Sequence, residues 1–446
     1  MMRTLRFVAH SIAALVASAP AMAADFPLKD GDNWVMAGDS ITAQHLHSNY
    51  FEAFCFARYP KLKFAFRNSG VGGHTIPTTL ARFDYDIDAW KPTVVSVELG
   101  MNDKGSDTAA HYIFNMTKMV DRIRASKARP VMFSASPINN GETKANLGAN
   151  KRLHEYADAL KEFSRKQQLP FADQFHQLLD VWGNNKTQEV LADSLPTFRI
   201  LAQDNQLAGV DILREFLAVQ DKIEPKPVSM QGNPVHPGAP GQLMMAAALL
   251  SELGAARFVS SATLDASGQV IEAKNCTVNN AKAQDDKLSF DRLDECLPFP
   301  IPEDAASVLP LFPTIAKLSQ YMLQVKGLEP GMYGLRINGV LLPSALSEKA
   351  WDEGVNLTAL AYARPSNAHD VNPIAAQSRA ILAAVSSKEG LVNHWRGLSQ
   401  QAHAADASAE LKDRFAEITR MVEAADDKIR EAAKPLELHF DLIPQK

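Results

Sequence analysis

The alternation of short β-type runs with helical stretches constrains the fold of this chain more than any other feature. Between residues 34 and 253, apolar runs of strand length are separated by segments with apolar residues at helical spacing. The runs are 34–37, 62–67, 93–98 and 130–135, and the clearest helical segments are 113–123, 151–166 and 241–253. Strands that alternate with helices build a parallel sheet covered by helices on both faces. The sequence therefore predicts an α/β layered domain.

The pattern changes after about residue 257. Residues 321–337 contain two alternating apolar runs, and the second leads into Asn338-Gly339, a strong hairpin signal, so a small antiparallel β unit is predicted. An apolar seam with a 3.5-residue period in 411–429 predicts a helical hairpin, with a dimerising coiled coil as the alternative. Residues 436–442 alternate like one more strand. The predicted parts are 24–255 for the layered domain, 256–365 for a β-rich accessory region and 366–446 for a helical region ending in a strand.

Residues 1–23 have the pattern of a cleaved export signal. A short basic start precedes the apolar run 7–20, and Ala21-Met22-Ala23 places small residues where a signal peptidase reads them. The run is too short to cross a membrane, which takes about 20 apolar residues. The sequence therefore predicts an exported, periplasmic or extracellular protein without a membrane span.

Charge and cysteine content exclude some kinds of partner. With 46 basic and 51 acidic residues, the chain is not a nucleic-acid binder that depends on bulk positive charge. No Cys/His cluster has the spacing of metal ligands, so neither a metal site nor a cofactor is expected. Of the three cysteines, Cys276 and Cys296 are expected to form a disulfide, and Cys55 is expected to be a buried thiol.

Polar residues stand where the predicted strands end, at the sheet edge where α/β proteins bind ligands. Gly38-Asp39-Ser40 follows the first strand, Gly72-Gly73 lies in a turn after the second, and Asn102 follows the third. His236 precedes the last helix of the domain. A serine hydroxyl, an imidazole base and fixed amide donors are the groups that acyl transfer needs.

Each of these residues also has an ordinary structural explanation. Asp39 or Ser40 could cap the helix that follows, and the glycine pair could serve only a tight turn. Asn102 could likewise be a helix cap, and His236 could be a surface residue. The occurrence of all four features in order at the correct strand ends favours the catalytic interpretation.

Over roughly residues 33–255, the chain resembles the SGNH (GDSL-type) serine hydrolases, in particular secreted bacterial members with a C-terminal extension. The family's four sequence blocks correspond to Gly38-Asp39-Ser40, Gly73, Gly100-Met101-Asn102-Asp103 and His236. The resemblance implies a three-layer αβα, flavodoxin-like fold and metal-free ester hydrolysis. It also implies that Ser40 is the nucleophile and His236 the base. The oxyanion hole would then comprise the Ser40 amide, the Gly73 amide and the Asn102 side chain.

The sequence departs from the family pattern at Asn233, where the family usually has an Asp three residues before the catalytic His. An Asn can accept a hydrogen bond from the ring but brings no charge to stabilise the imidazolium. Asn233 is predicted as the third catalytic residue. A backbone carbonyl, Asp221 or Glu224 are the alternatives.

The sequence predicts a carboxylic-ester hydrolase. Acyl groups on carbohydrate are the preferred substrate, because they suit an exported enzyme with a β-rich accessory region. This preference rests on analogy. A lipid or small-molecule ester is the second substrate class. The alternative from another functional class is a carbohydrate-binding protein with the same fold and weakened catalysis. The Asn at position 233, in place of the usual Asp, would then reflect the loss of activity.

Overall fold

A five-stranded parallel sheet forms the centre of the N-terminal half. The computed structural model describes residues 26–105, 108–187, 195–222, 226–284, 287–363 and 371–445, so the predicted export signal lies outside the described residues. The strands are β1 (Asp32–Gly38), β2 (Phe64–Gly70), β3 (Val94–Glu98), β4 (Arg129–Phe133) and β5 (Phe171–Ala172). Their order in the sheet, β2-β1-β3-β4-β5, is the flavodoxin-like one. The predicted fold class is confirmed.

Helices cover both faces of this sheet and also form the C-terminal part of the chain. They are α1 (Ser40–Ala43), α2 (His47–Arg58), α3 (Ile76–Ala81), α4 (Phe83–Asp86), α5 (Ala109–Ala125), α6 (Lys151–Gln167), α7 (Gln174–Asn184), α8 (Leu195–Leu201), α9 (Val210–Gln220), α10 (Ala239–Glu252), α11 (Thr314–Lys317), α12 (Glu348–Glu353), α13 (Leu357–Ala361), α14 (Pro373–Ala402) and α15 (Ala409–Ala432). Short 3₁₀ helices occur at Asp88–Trp90, Asp103–Gly105, Gly148–Asn150 and Glu303–Val308.

The alternation of side chains along β1 explains the three layers. Trp34 and Met36 belong to a core that includes α2, α7 and α10. Val35 and Ala37 belong to a second core, on the opposite face, that includes α5. Successive strand residues point to opposite faces, and here both faces are apolar because both are covered. β1 ends at Gly38, so the residues that follow it lie at the carboxyl edge of the sheet.

The β-rich region consists of two sheets. The strands are β6 (Phe258–Asp265), β7 (Val270–Lys274), β8 (Cys276–Gln284), β9 (Lys287–Asp294), β10 (Gln320–Lys326), β11 (Met332–Ile337), β12 (Val340–Leu341), β13 (Leu346–Ser347), β14 (Val355–Asn356) and β15 (Leu438–Gln445). One sheet has the order β14-β10-β6-β7, and the other β12-β11-β15-β9-β8 with β13 beside β11.

This arrangement corrects the prediction of one small antiparallel unit. The two alternating runs, β10 and β11, lie in different sheets, and β10 pairs in parallel with β6. The hairpin at Asn338-Gly339 joins β11 to β12, as its sequence signal indicates. The predicted last strand, β15, lies between β9 and β11, so the end of the chain completes this region. The predicted boundaries at residues 255 and 365 stay predictions.

The two long C-terminal helices form the predicted hairpin within one chain and pack on the layered domain. Buried ion pairs join them to it: Arg67 to Asp426 at 2.7 Å and Lys388 to Glu52 at 2.5 Å. Trp395 of α14 stacks on Trp90, with ring centroids 3.5 Å apart. The hairpin therefore covers the sheet on the side of β2.

All three cysteines are free thiols, which corrects the predicted disulfide. The thiols of Cys276 and Cys296 approach two different carbonyls of β6, those of Ser261 at 3.3 Å and Val259 at 3.7 Å. Each thiol thus donates to its own backbone carbonyl. Cys55 is buried, as predicted. Within the described ranges, none of the helices is both long and apolar enough to be a membrane span.

Candidate active site

Ser40 is the first residue of α1, immediately after the turn that ends β1. Asp39 is the N-cap, and its Oδ1 accepts a hydrogen bond from the amide of Ile41 at 2.9 Å. Because Asp39 caps the helix, the Ser40 hydroxyl remains available for another partner. The turn also requires a glycine, since a Cβ on Gly38 would lie 1.9 Å from Oγ1 of Thr42.

The partner of Ser40 is His236, which lies 196 residues further along the chain. Oγ of Ser40 and Nε2 of His236 are 2.7 Å apart, and both residues are half-buried. The hydroxyl donates to Nε2 when the ring proton is on Nδ1, which is the tautomer in which the imidazole can accept the serine proton. The structure thus brings together two of the residues that the sequence predicted for catalysis.

Asn233 occupies a different position from the one expected of a ring partner. Its Oδ1 accepts hydrogen bonds from the backbone amides of Val235 at 3.0 Å and His236 at 2.9 Å. These contacts shape the loop that carries His236, and no described residue forms a hydrogen bond with Nδ1 of the ring. Of the alternatives, Asp221 is bound to Arg199 at 2.5 Å, and Glu224 lies outside the described residues.

The turn after β2 lies beside Ser40. A Cβ on Gly72 would be 3.9 Å from Cβ of Ser40. Gly73 has φ of +75°, a conformation that favours glycine. Nδ2 of Asn102 donates to the carbonyl of His74 at 3.0 Å and lies 3.4 Å from Oδ2 of Asp39. The turn with Gly72 and Gly73 and the side chain of Asn102 therefore lie next to the segment that carries Ser40, and their role as oxyanion donors stays a prediction.

The same turn is held from the other side by α14. Arg396 donates to the carbonyl of Gly70 at 2.9 Å and to the Asp86 carboxylate at 2.7 and 2.8 Å. Asp86 also pairs with Arg82, whose Nε donates to Nδ1 of His74 at 3.2 Å. Burial opposes ionisation of Asp86, but its contacts with the two arginines outweigh burial and lower its pKa.

The three residues Arg396, Asp86 and Arg82 were missed by reasoning from sequence. Arg396 is more than 300 residues from the turn that it contacts, as its 326-residue separation from Gly70 shows. No local pattern links an arginine in a C-terminal helix to a turn near the N-terminus. Only the docking of the hairpin brings them together.

Buried acidic groups lie beneath the turn at Ser40. Burial, and then the nearby charge of Glu98, raise the pKa of Asp39 to about 7. Glu98 itself is bound to His47 at 2.8 Å and to Gln174 at 2.7 Å. Burial lowers the pKa of His47, but Glu98 more than compensates and the pKa rises. With a pKa of about 7, Asp39 is only partly ionised near neutral pH, so the negative charge next to Asn102 is reduced.

Comparison with known proteins gives a family match for one segment and a fold for nearly the whole chain. Residues 36–243 match the family model described as the GDSL-like lipase/acylhydrolase family. BT4096, a gut microbial diltiazem-metabolizing enzyme, is 21% identical with a TM-score of 0.69, over 94% of this chain and 99% of that one. The fold is therefore shared over nearly the whole chain, including the C-terminal regions.

Two further similarities cover less of the chain. Axe2, an acetylxylan esterase from Geobacillus stearothermophilus, is 18% identical with a TM-score of 0.37, over 51% of this chain and 95% of that one. The lipoprotein YqeF of Bacillus subtilis (strain 168) is 24% identical over 149 residues, or 28% of this chain. The matched segment spans 61% of the length of YqeF.

Proposed function

Residues 36–243 are a domain of the GDSL-like lipase/acylhydrolase family, and on this premise we propose that the protein is an exported serine esterase that hydrolyses carboxylic esters. The observation that carries the proposal is the 2.7 Å separation between Oγ of Ser40 and Nε2 of His236. This is the distance at which an imidazole takes the proton of a nucleophilic hydroxyl. The export pattern of residues 1–23 supports a periplasmic or extracellular location.

Acylation follows from this geometry. Oγ of Ser40 attacks the carbonyl carbon of the ester while its proton passes to Nε2 of His236. The carbonyl oxygen becomes an oxyanion, which accepts hydrogen bonds from the amides of Ser40 and Gly73 and from Nδ2 of Asn102. Collapse of this intermediate breaks the bond to the alcohol, which leaves with the proton from His236. Ser40 then carries the acyl group.

Deacylation repeats these steps with water as the nucleophile. His236 takes a proton from the water as its oxygen attacks the acyl carbon, and the same three donors stabilise the second oxyanion. Collapse returns the proton to Oγ of Ser40 and releases the carboxylic acid. Apart from this water and the ester itself, the groups that take part in the cycle are residues of this chain.

The histidine acts within a Ser–His dyad in this proposal. Asn233 shapes the loop through the backbone amides of Val235 and His236, so it orients the ring indirectly. A neutral amide in this place contributes position but no charge to the imidazolium. This replaces the prediction that Asn233 contacts the ring. Asn233 is therefore a positioning residue.

The exposure of the site favours a short acyl group on a large alcohol. Gly72, Gly73 and Asn233 are exposed, so the surroundings of Ser40 open to solvent. A long lipid chain needs an apolar pocket that buries most of its surface. An acetyl group needs little room, and a carbohydrate alcohol can extend across an open surface. Acetylated carbohydrate is thus the first substrate class. A small-molecule ester is the second, because BT4096, which shares the fold, is a diltiazem-metabolizing enzyme.

The test is an activity screen with graded acyl chains. The purified protein and its Ser40→Ala variant are assayed with p-nitrophenyl acetate, butyrate and octanoate, and with acetylated xylo-oligosaccharides. We expect the highest kcat/KM for acetyl esters and no activity in the variant. Activity that survives in Ser40→Ala, or that increases with chain length, contradicts the proposed nucleophile or the proposed substrate class, respectively. No turnover of any ester favours a binding protein.

A further inference from the structure

A cluster of two histidines and an aspartate lies between α6 and α7. His154 and Asp158 are one helical turn apart on α6, and His176 is in the first turn of α7. Nδ1 of His154 lies 3.5 Å from the Asp158 carboxylate, and Nε2 of His176 lies 3.7 Å from the other oxygen of the same carboxylate. One potential ligand atom from each of the three residues lies within 4.8 Å of the other two.

A fourth residue orients one of these histidines. Both carboxylate oxygens of Asp173 are 2.9 Å from Nδ1 of His176, and the Asp173 side chain is only 6% exposed. A hydrogen bond of this kind keeps the ring proton on Nδ1, which leaves the lone pair of Nε2 facing Asp158. Metal-binding histidines in proteins commonly have such a carboxylate behind the ring.

We propose that His154, Asp158 and His176 bind a zinc ion, with Asp173 as the carboxylate behind His176. Zinc takes imidazole nitrogens and carboxylate oxygens at about 2.0–2.2 Å in tetrahedral geometry, with water in any remaining position. The ligand atoms here are slightly further apart than that geometry requires, so small side-chain rotations close the site. Two nitrogen ligands disfavour Mg²⁺ and Ca²⁺, which prefer oxygen.

The ion would join α6 to α7. Gln174, two residues before His176, binds Glu98 at 2.7 Å and the carbonyl of Ser134 at 2.8 Å, so the first turn of α7 is already attached to the sheet. A zinc ion would attach α6 to the same turn. The site is separate from the residues proposed for ester hydrolysis, and zinc binding does not depend on that proposal.

The sequence indicates one part of this site, the pair of His154 and Asp158. His154 and Asp158 stand four residues apart in a predicted helix, which places them on one face. The second histidine comes from a different helix, and its distance from the pair could not be read from the sequence.

The test is a zinc titration of the full chain after chelator treatment, followed by isothermal calorimetry and by elemental analysis of the dialysed protein. We expect one equivalent of bound zinc and a Tm that rises with zinc concentration, since a ligand that binds the native state stabilises it. A parallel titration with Mg²⁺ should give no saturable binding.

Variants locate the ion. His154→Ala and His176→Ala should each lose the bound equivalent and the zinc-dependent rise in Tm, and Asp158→Asn should weaken zinc binding at least tenfold. His439→Ala is the matched control, because His439 contacts two carboxylates, those of Asp291 at 2.6 Å and Asp441 at 3.3 Å, and is not paired with a second histidine among the described residues. It should bind zinc like the wild type.

If the wild type binds no zinc, or if the double variant His154→Ala/His176→Ala still binds one equivalent of zinc, the cluster is only a set of ion pairs and the proposal fails. Circular dichroism confirms that each variant is folded.

Discussion

The two sides of the candidate active site are held in different ways. On the nucleophile side, Ser40 follows a buried strand. Its turn is attached to the neighbouring turn by Asn68, which donates to the carbonyl of Thr42 at 2.8 Å and accepts from the amide of Gly70 at 2.9 Å. On the base side, His236 lies in a loop with exposed residues, and among the described residues its ring has a hydrogen bond only with Ser40.

This difference indicates how each side works. The hydroxyl and the amide donors must keep fixed relative positions, because stabilisation of an oxyanion depends on donors that are already in place. Buried polar contacts provide that rigidity, and they cost stability when they are only partly removed. The imidazole needs only to reach the hydroxyl, so a loop with few side-chain contacts suffices. Changes on the nucleophile side should therefore affect rate more than changes in the loop, with His236 as the exception.

The largest effect is expected for His236 itself. His236→Ala should lower kcat for p-nitrophenyl acetate by about 10⁴–10⁶-fold, because the hydroxyl loses its base. Ser40→Ala should cost about the same, and the double variant should be no slower than either single one, since the two residues act as a unit. Additive losses in the double variant would show that they act independently.

Removal of one oxyanion donor should have the next largest effect. Asn102→Ala should lower kcat by about 10²–10³-fold with little change in KM, because the donor acts on charge that develops only in the transition state. The measurement is steady-state kinetics with the best ester from the screen. A raised KM with unchanged kcat would instead assign Asn102 to substrate binding.

Arg396 should support the nucleophile side from the C-terminal hairpin. Arg396→Ala removes the hydrogen bonds to Gly70 and Asp86, so the turn with Gly73 loses one of its supports. We expect kcat to fall by about tenfold, since a displacement of about 1 Å can cost up to 10² in rate, whereas KM should change little.

Arg379→Ala is the control for Arg396. Arg379 is on the same helix and pairs with Glu303 at 2.7 Å, but it is 57% exposed, and its loss should leave kcat unchanged. Arg396→Lys should restore part of the rate. Equal losses in Arg396→Ala and Arg379→Ala would mean that the hairpin affects only general stability.

The smallest effect is expected in the loop. Asn233→Ala should lower kcat by a few-fold, because the amides of Val235 and His236 lose their acceptor. Asn233→Asp keeps an acceptor in that place and should remain close to the wild type in rate and in pH profile. A large acceleration in Asn233→Asp, with the acid limb moved to higher pH, would show that residue 233 contacts the ring after all.

The sequence predicted the layered domain well because its signals are local. The apolar runs became β1 to β4, and the motifs at their ends lie at one edge of the sheet, as parallel strands require. The β-rich region was predicted less well. The parallel pairing of β10 with β6 joins segments about 60 residues apart, and the alternation within each run does not specify its partner.

The residues that hold the turns of the site in place could not be predicted from the sequence, for the same reason. Arg82, between α3 and α4, pairs locally with Asp86, but the contact of Asp86 with Arg396 forms only because α14 docks beside this segment. Asn233 was identified from its spacing to His236, but spacing does not tell whether an amide faces a ring or the backbone. The motif residues Ser40, Gly73, Asn102 and His236 could be identified, and their roles in catalysis stay predictions.

The measurement that tests the central claim most directly is covalent labelling with a fluorophosphonate. The wild type, Ser40→Ala and His236→Ala are treated with the reagent and analysed by intact mass and peptide mapping. The proposed dyad predicts one adduct per wild-type chain, on Ser40, no adduct in Ser40→Ala and strongly slowed labelling in His236→Ala. An unlabelled wild-type protein, or an adduct on any other residue, would contradict the assignment of Ser40 as an activated nucleophile.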